Sequence, residues 1–402
     1  MDSATRAPWL RVIDPDTKAP TPVPLDFDPE RLTQARWLAG ETRSKLAHKI
    51  GVSPVAVAQW EARTAAPRPD HIEALSKALA VPCTFFAVGR PHARLDASAL
   101  HLRHFRQMST IERNRAVAYT ESVWELCYAL EKRVRFPAVD LPGFTGGELT
   151  RAIPDDPFDA ARSLRQAWGI GNGPISRVVR MIEQHGIIVA TGAFDADDAA
   201  TVDAFSTTHL PRPTIVLSPH RTDDVFRHRF SAAHELGHLV MHDECIPGDA
   251  VQEREADLFA AEFLTPADQI TPALPKGVTL DSLAAVSQAW GVSVESLLRR
   301  AKEVGTSSNA SYQRAHERCK TRRKNGSIKP ESIENFPGEN PALLKSAFAV
   351  ADENGLGLKA LAEELQFSLP QTRRLLGLKQ ESTTLRLVPQ HPRRVQRTQG
   401  AP

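Results

Sequence analysis

The sequence is poor in the features that mark secreted and membrane proteins. Its 402 residues include only four cysteines, and none of them has a CxxC or other paired spacing. Scattered cysteines argue against a disulfide framework and fit a reducing compartment. There is no apolar run of about 18 residues and no signal-peptide-like start. We therefore expect a cytoplasmic protein without a membrane span.

The net charge is also small, at +2, so the overall charge does not indicate a nucleic-acid partner. The charge is unevenly distributed, because residues 28–90 carry nine Lys or Arg against six Asp or Glu, and residues 299–329 carry ten against two. A chain of this length is too long for one compact core, which predicts two or three domains. We find no convincing internal repeat in the sequence.

The stretch RFSAAHELGHLVMHDE at 229–244 carries the most specific motif. On an α-helix His234 and His238 lie one turn apart on the same face, so both imidazoles can reach one zinc ion. Glu235 points to a neighbouring side, where it can activate water without ligating the metal. A strand-like segment, PTIVLS, precedes this helix at 213–218. The spacing predicts two ligands of a zinc site and a general base.

A hydrolytic zinc site needs a third protein ligand and an open position. The segment QEREADLFAAEFLTP at 252–266 predicts Glu253 as that ligand. Asp257 lies one helical turn further and would accept a hydrogen bond from a ligand histidine. Glu255 is the second choice because it projects from another face, and His242 is expected near the rim. The complete pattern is that of a gluzincin-like zinc endopeptidase with Zn²⁺ as cofactor.

The motif also has interpretations that involve no metal site. An isolated HExxH motif arises by chance, and a solvated histidine is commoner than a ligand. The strand before the helix and the carboxylate pair after it favour the metal site. Cys245 lies just beyond the helix and is expected to be incidental. His209 and His220 are candidates for stabilising the oxyanion, although a satisfied or solvated imidazole is the commoner role.

These motifs resemble the ImmA/IrrE metallopeptidases. RFSAAHELGHLVMH and EREADLFAAEFLTP are similar to that family over about residues 155–300, although FLTP stands where LLMP is usual and Asp257 where asparagine is common. The resemblance implies an α+β zincin-like domain in which His234, His238 and Glu253 hold zinc and Glu235 is the general base.

Residues 32–86 follow a different pattern. Helical segments flank a tight turn at Gly51, after which Ser53 is a natural N-cap and Pro54 suits the first helical position. An apolar set that includes Leu46 and Trp60 would hold the two helices together. This is a helix-turn-helix arrangement, whose second helix enters the major groove of DNA.

The pieces TRSKLA, GVS, WEAR and PRP resemble the XRE, or lambda-repressor-like, family, whose domain is all-α. Arg43 stands where that family usually has glutamine, which favours a phosphate contact over a base contact. Gln59 can read a base and Val55 can touch a thymine methyl group. The predicted DNA-binding residues are Arg43, Lys45, Ser53, Pro54, Val55, Ala56, Gln59 and Arg63. A module of this fold that binds protein remains the alternative.

Composition and periodicity predict a multidomain chain with both fold classes. The expected divisions are a disordered arm at 1–27, the helix-turn-helix domain at 28–91, a helical linker at 92–154, the metallopeptidase domain at 155–304, a helical region at 305–379 and a disordered basic tail at 380–402.

Two functions follow from these domains. In the first, a DNA-binding transcriptional regulator carries an endopeptidase that cuts a repressor or antitoxin, or its own chain, in a stress response or a toxin–antitoxin system. In the second, the zinc domain of a transcription factor or antitoxin senses a ligand or partner and does not cut. The expected partners are a double-stranded DNA operator, a protein substrate and a second copy of the chain, since such proteins commonly read two-fold symmetric sites as homodimers.

Overall fold

The computed structural model describes residues 11–12, 26–102, 108–192, 204–218, 224–277, 279–327 and 329–378. Most of the predicted arm at 1–27 and the whole predicted tail at 380–402 lie outside these residues. Within them, the helices are too short or too polar to cross a membrane.

The amino-terminal helices are α1 (Pro29–Leu38), α2 (Arg43–Ile50), α3 (Pro54–Glu61) and α4 (Pro69–Leu79). Thr42 caps α2 by accepting a hydrogen bond from Lys45 N, and Ser53 caps α3 in the same way from Ala56 N. Gly51 ends α2 in the left-handed region, with φ of 71°, as the sharp turn between the two helices requires. The predicted helix-turn-helix geometry is present.

A sheet of four strands connects the two halves of the chain. Its order is β2 (His101–Leu102), β5 (Ala204–Thr207), β6 (Thr214–Leu217) and β4 (Ile188–Thr191), and a separate pair joins β1 (Arg11–Val12) to β3 (Val134–Arg135). The strands β4 and β6 are parallel, while β2 and β5 run antiparallel to their neighbours. Helices mixed with this small sheet confirm the α+β class predicted for the second domain.

The remaining helices surround this sheet. They are α5 (Thr110–Glu131), α6 (Pro157–Ala167), α7 (Val178–Gln184), α8 (Val225–Met241), α9 (Ala250–Leu264), α10 (Ala267–Ala273), α11 (Ala284–Trp290), α12 (Val294–Glu303), α13 (Asn309–Lys324), α14 (Leu343–Glu353), α15 (Leu358–Leu365) and α16 (Leu369–Leu375). Helix α5 runs beside the first domain, and α8 packs against β5 and β6 on one side and against α9 on another.

Two hydrophobic cores lie on opposite faces of the sheet, because successive strand residues alternate between faces. Phe205 and Val216 belong to the core shared with α1–α5 and α14–α16, whereas Ile215 and Leu217 belong to the core shared with α6–α13. The predicted region 305–379 therefore divides between the two cores. The domain boundaries stay predictions, since a core shared by distant segments does not define a border along the chain.

Helices α14–α16 have nearly the same lengths as α1–α3, and the turn between the last two helices is alike. An offset of 315 residues separates Arg43 from Leu358, Ile50 from Leu365 and Ser53 from Ser368. The turn hydrogen bonds recur at that offset: Val52 N donates to Ala47 O at 3.0 Å and Phe367 N to Ala362 O at 2.9 Å. The left-handed position of Gly51 is taken by Gln366, with φ of 54°.

The two segments share the turn geometry and the serine cap at Ser53 and Ser368, but Gly357 stands where Thr42 caps α2 and offers no side-chain cap. The matched positions that keep their residue are Gly40, Leu46, Ala47 and Ser53, which recur as Gly355, Leu361, Ala362 and Ser368. The second unit docks on the first, since Phe367 stacks on Phe85 with ring centroids 5.8 Å apart. The expectation that the sequence has no convincing internal repeat stays a prediction, while the turn geometry recurs at this offset.

The carboxylate of Glu183 joins the metallopeptidase region to the last helices. It is fully buried and accepts hydrogen bonds from Ala342 N and Leu343 N, both at 2.8 Å. Burial raises the pKa of Glu183 from its ordinary value of 4.5 to about 7, although the two backbone donors oppose this shift.

A pH-dependent stability follows for Glu183. Because the folded-state pKa is raised, the unfolded chain releases this proton first, and folding loses stability as pH rises from about 4.5 to about 7. Glu183→Gln keeps the accepting oxygen but cannot ionise. We expect the variant to match the parent at pH 4.5 and to exceed its melting temperature at pH 8. A difference that is equal at both pH values would contradict this assignment.

Candidate functional site

The HExxH motif lies inside α8, which begins after Asp224 accepts a capping hydrogen bond from Arg227 N. His234, Glu235 and His238 are each 2% exposed. Gly237 lets α9 approach closely, because a Cβ there would lie 3.0 Å from the ring of Phe259. The motif is thus held against α9 in a buried helix pair.

The three predicted zinc ligands converge. The Nε2 atoms of His234 and His238 are 3.1 Å apart. Glu253, in the first turn of α9, places Oε2 at 3.4 Å from His234 Nε2 and Oε1 at 3.7 Å from His238 Nε2. Two imidazole nitrogens and one carboxylate on a common point form a donor set that suits zinc, and their atoms are close enough to hold one ion.

Asp257 lies where a supporting carboxylate is predicted. Its Oδ1 is 2.9 Å from His234 Nδ1, which leaves the Nε2 atom of that ring directed at the cluster. Burial opposes protonation of His234, but hydrogen bonds to Asp257 and Glu253 outweigh it and raise its pKa to about 9. The site therefore favours a positive charge at this position.

His242 differs from its expected place near the rim. It is 2% exposed, and its Nδ1 lies 3.0 Å from His238 Nδ1. Its Nε2 lies 3.1 Å from Oε2 of Glu255, the carboxylate ranked second as a ligand. If His242 is neutral and donates its Nε2–H to Glu255, its Nδ1 can accept a hydrogen bond from the Nδ1–H of His238. Each histidine of the predicted ligand set is thus oriented by a second residue, His234 by Asp257 and His238 by His242.

Two functional neighbours were not predicted from the motifs. Ser206, on β5, donates its hydroxyl hydrogen to Glu235 Oε2 at 2.7 Å and so orients the proposed general base. His101, on β2, stacks on the ring of His238 with centroids 4.7 Å apart. Burial, followed by the neighbouring histidines, lowers the pKa of His101 to about 3, so the ring is neutral.

The other described sequence candidates are outside the predicted ligand set, although Cys245 is within electrostatic range of Glu235 and Glu253, and His209 within range of His101. Cys245 belongs to neither group of described residues that could share an ion, and burial raises its thiol pKa to about 12. His209 is exposed, and His220 lies outside the described residues.

The predicted DNA-reading face lies on α2 and α3. Val55 is 63% exposed, and Pro54 and Gln59 are also exposed, whereas Val57 and Trp60 are buried in the core. A side chain at each exposed position can reach a groove without disturbing the fold.

The basic candidates of this face carry local partners. Arg43 Nε donates to Glu61 Oε2 at 2.6 Å, yet the arginine side chain stays 54% exposed. Ser53 uses its oxygen to accept from Ala56 N, which leaves the hydroxyl hydrogen for a phosphate. Lys45, Arg63 and the half-buried Ala56 complete the predicted set.

Comparison with family models matches two segments of the chain. Residues 34–86 match a helix-turn-helix model of XRE type, and residues 182–302 match the IrrE N-terminal-like domain of a peptidase family. The chain joins an XRE-type helix-turn-helix domain to an IrrE-like peptidase domain. No curated protein matches the chain as a whole.

The segment matched by the IrrE-like model contains the predicted ligand cluster and Ser206. His101 lies outside both matched segments, on the strand that follows the XRE-type domain. His101 thus reaches the site from the segment that links the two matched domains.

Proposed function

We propose that the protein is a DNA-binding transcriptional regulator whose IrrE-like domain is a zinc-dependent endopeptidase. Its substrate would be a regulatory protein, either a repressor or an antitoxin. The protein could also cut its own chain. The observation that supports this most is the convergence of His234, His238 and Glu253 beside a carboxylate that does not belong to the ligand set. A purely structural zinc site would not need Glu235.

The residues of the chain divide the work of hydrolysis. His234, His238 and Glu253 would hold zinc, which supplies Lewis-acid activation of water and of the scissile carbonyl group. Glu235 accepts a proton from the attacking water and passes it to the leaving amine. Ser206 keeps that carboxylate oriented through its 2.7 Å hydrogen bond. Burial of the cluster keeps these groups fixed before substrate arrives.

Zinc affinity tests the ligand set directly. Glu253→Ala removes a proposed ligand. Zinc affinity is therefore expected to fall by more than the roughly 10–100-fold loss that is typical when a residue hydrogen-bonded to a ligand is removed. Glu255→Ala, two residues away on the same helix, touches the site only through His242 and is expected to cost less. Competition with a chromophoric chelator measures both. Equal losses, or a larger loss for Glu255→Ala, would overturn the assignment of Glu253.

The DNA-binding face has its own test. Gln59→Ala is expected to cost about 1–3 kcal/mol of discrimination at one base position. Lys45→Ala should instead weaken binding to all sequences and lower the salt slope by about 1. Fluorescence anisotropy on a selected operator and its single-base variants separates the two effects. If neither variant changes binding to any duplex, the module would be a protein-binding one.

A further inference from the structure

Strand β2 brings a distant part of the chain to the edge of the peptidase sheet. His101 pairs with Ser206 and Leu102 with Phe205, in antiparallel register. These residues follow the XRE-type domain and precede α5, so about one hundred residues separate the paired strands along the sequence. The IrrE-like match begins only at residue 182.

The strand that β2 covers borders the metal cluster. Ser206, the partner of His101, donates to Glu235. The ring of His101 is 3% exposed and lies at 21° to the ring of His238. Nitrogen atoms of His101, His238 and His242 lie within 4.8 Å of one another. The covering strand thus places a side chain directly against a predicted zinc ligand.

Without β2, the described strand β5 would be the edge of this sheet, next to the general base. Exposed edge strands bind extended peptides by adding a strand, with main-chain hydrogen bonds for affinity and side-chain pockets for selectivity. An endopeptidase needs its substrate extended, because only then does one peptide bond lie beside the catalytic groups. The place of β2 is therefore the place that a substrate strand would take.

We propose that β2 is an internal substrate mimic, and that peptide substrates pair antiparallel with β5 and set a planar side chain against His238. This inference rests on the proposed peptidase function. The domain junction then occupies its own peptide site, and cleavage of another protein requires β2 to leave β5. A change in the XRE-type domain, whose matched segment ends about fifteen residues before β2, is the natural trigger.

Among the described residues, two pairs, His101–Ser206 and Leu102–Phe205, join β2 to the sheet, whereas β5 and β6 share four. Tethering still favours the internal strand, because a short linker gives an effective concentration in the millimolar range. A free peptide therefore binds with an affinity reduced by the small fraction of open sites.

A binding assay tests the mimic without turnover. The full chain is used in a Glu235→Gln background and loaded with zinc, and the probe is a fluorescein-labelled peptide that copies residues 97–104 (ASALHLRH). His101→Pro removes a strand N–H and the ring, while His101→Ala removes the ring alone. We expect the probe to bind at least about tenfold more tightly to His101→Pro than to the parent, and measurably more tightly to His101→Ala.

Two controls make the result specific. His48→Ala removes an exposed histidine on α2 that belongs neither to the sheet nor to the predicted site, and should leave the parent's affinity unchanged. A probe with proline in place of histidine (ASALPLRH) should bind no variant, because it cannot complete the pairing.

The proposal is overturned if neither variant binds the probe more tightly than the parent while zinc content and melting temperature are preserved. Should His101→Pro fail to fold, His101→Ala decides alone. The assay measures binding and needs no cleavage. Lack of turnover in a cleavage assay would contradict the peptidase hypothesis, whereas lack of tighter probe binding in this assay would contradict the mimic.

Discussion

Glu235→Gln is expected to lower peptide hydrolysis by about 10²–10⁴-fold while zinc stays bound. The amide keeps the size of the carboxylate and can still accept the hydrogen bond of Ser206, but it cannot take a proton from water. The three predicted ligands are unchanged. Zinc content by elemental analysis and single-turnover cleavage of a regulator substrate measure the two effects separately.

A matched control sharpens this result. Glu244→Gln makes the same change at an exposed residue just after α8 and should leave hydrolysis and zinc unchanged. Retained hydrolysis in Glu235→Gln would contradict the general-base role. If cleavage is undetectable in the parent and DNA regulation is identical in Glu235→Gln, the second function, a zinc domain that senses a partner without cutting, replaces the first.

Glu339→Ala is expected to destabilise the protein by about 3–5 kcal/mol, because it leaves a buried charge without its partner. Glu339 is fully buried and binds Arg229, which is 1% exposed and lies on the helix of the HExxH motif. The same carboxylate accepts hydrogen bonds from Val178 N at 3.0 Å and Val179 N at 3.1 Å. One side chain thus joins α7, α8 and the segment before α14.

Chemical unfolding at neutral pH measures this loss. The exposed pair Arg322–Asp281 supplies the control, since Asp281→Ala breaks an ion pair in solvent and should leave the unfolding midpoint nearly unchanged. A double variant with leucine at Arg229 and Glu339 should be less destabilised than either single change, because no uncompensated charge remains. An unchanged midpoint in Glu339→Ala would show that water reaches this pair.

Much of the site was readable from local spacing. His234 and His238, and likewise Glu253 and Asp257, are four residues apart, and the regular helix places such residues on one face wherever the helix lies. The turn at Gly51 and the cap at Ser53 are local in the same sense. Both family assignments depend on these short-range patterns, and the comparisons confirm them.

Tertiary structure decided which distant residues complete the site. Ser206 reaches Glu235 only because β5 pairs with β6 and both strands pack on α8. His101 reaches His238 only because β2 pairs with β5. His242 was placed at the rim since its sequence position says nothing of Glu255 on the next helix. A periodic pattern determines which side chains share a face, but which strand pairs with which depends on the free energy of the whole packed chain. The amino-acid sequence thus determined by itself the predicted ligand triad and the helix-turn-helix, and folding in three dimensions determined what surrounds them.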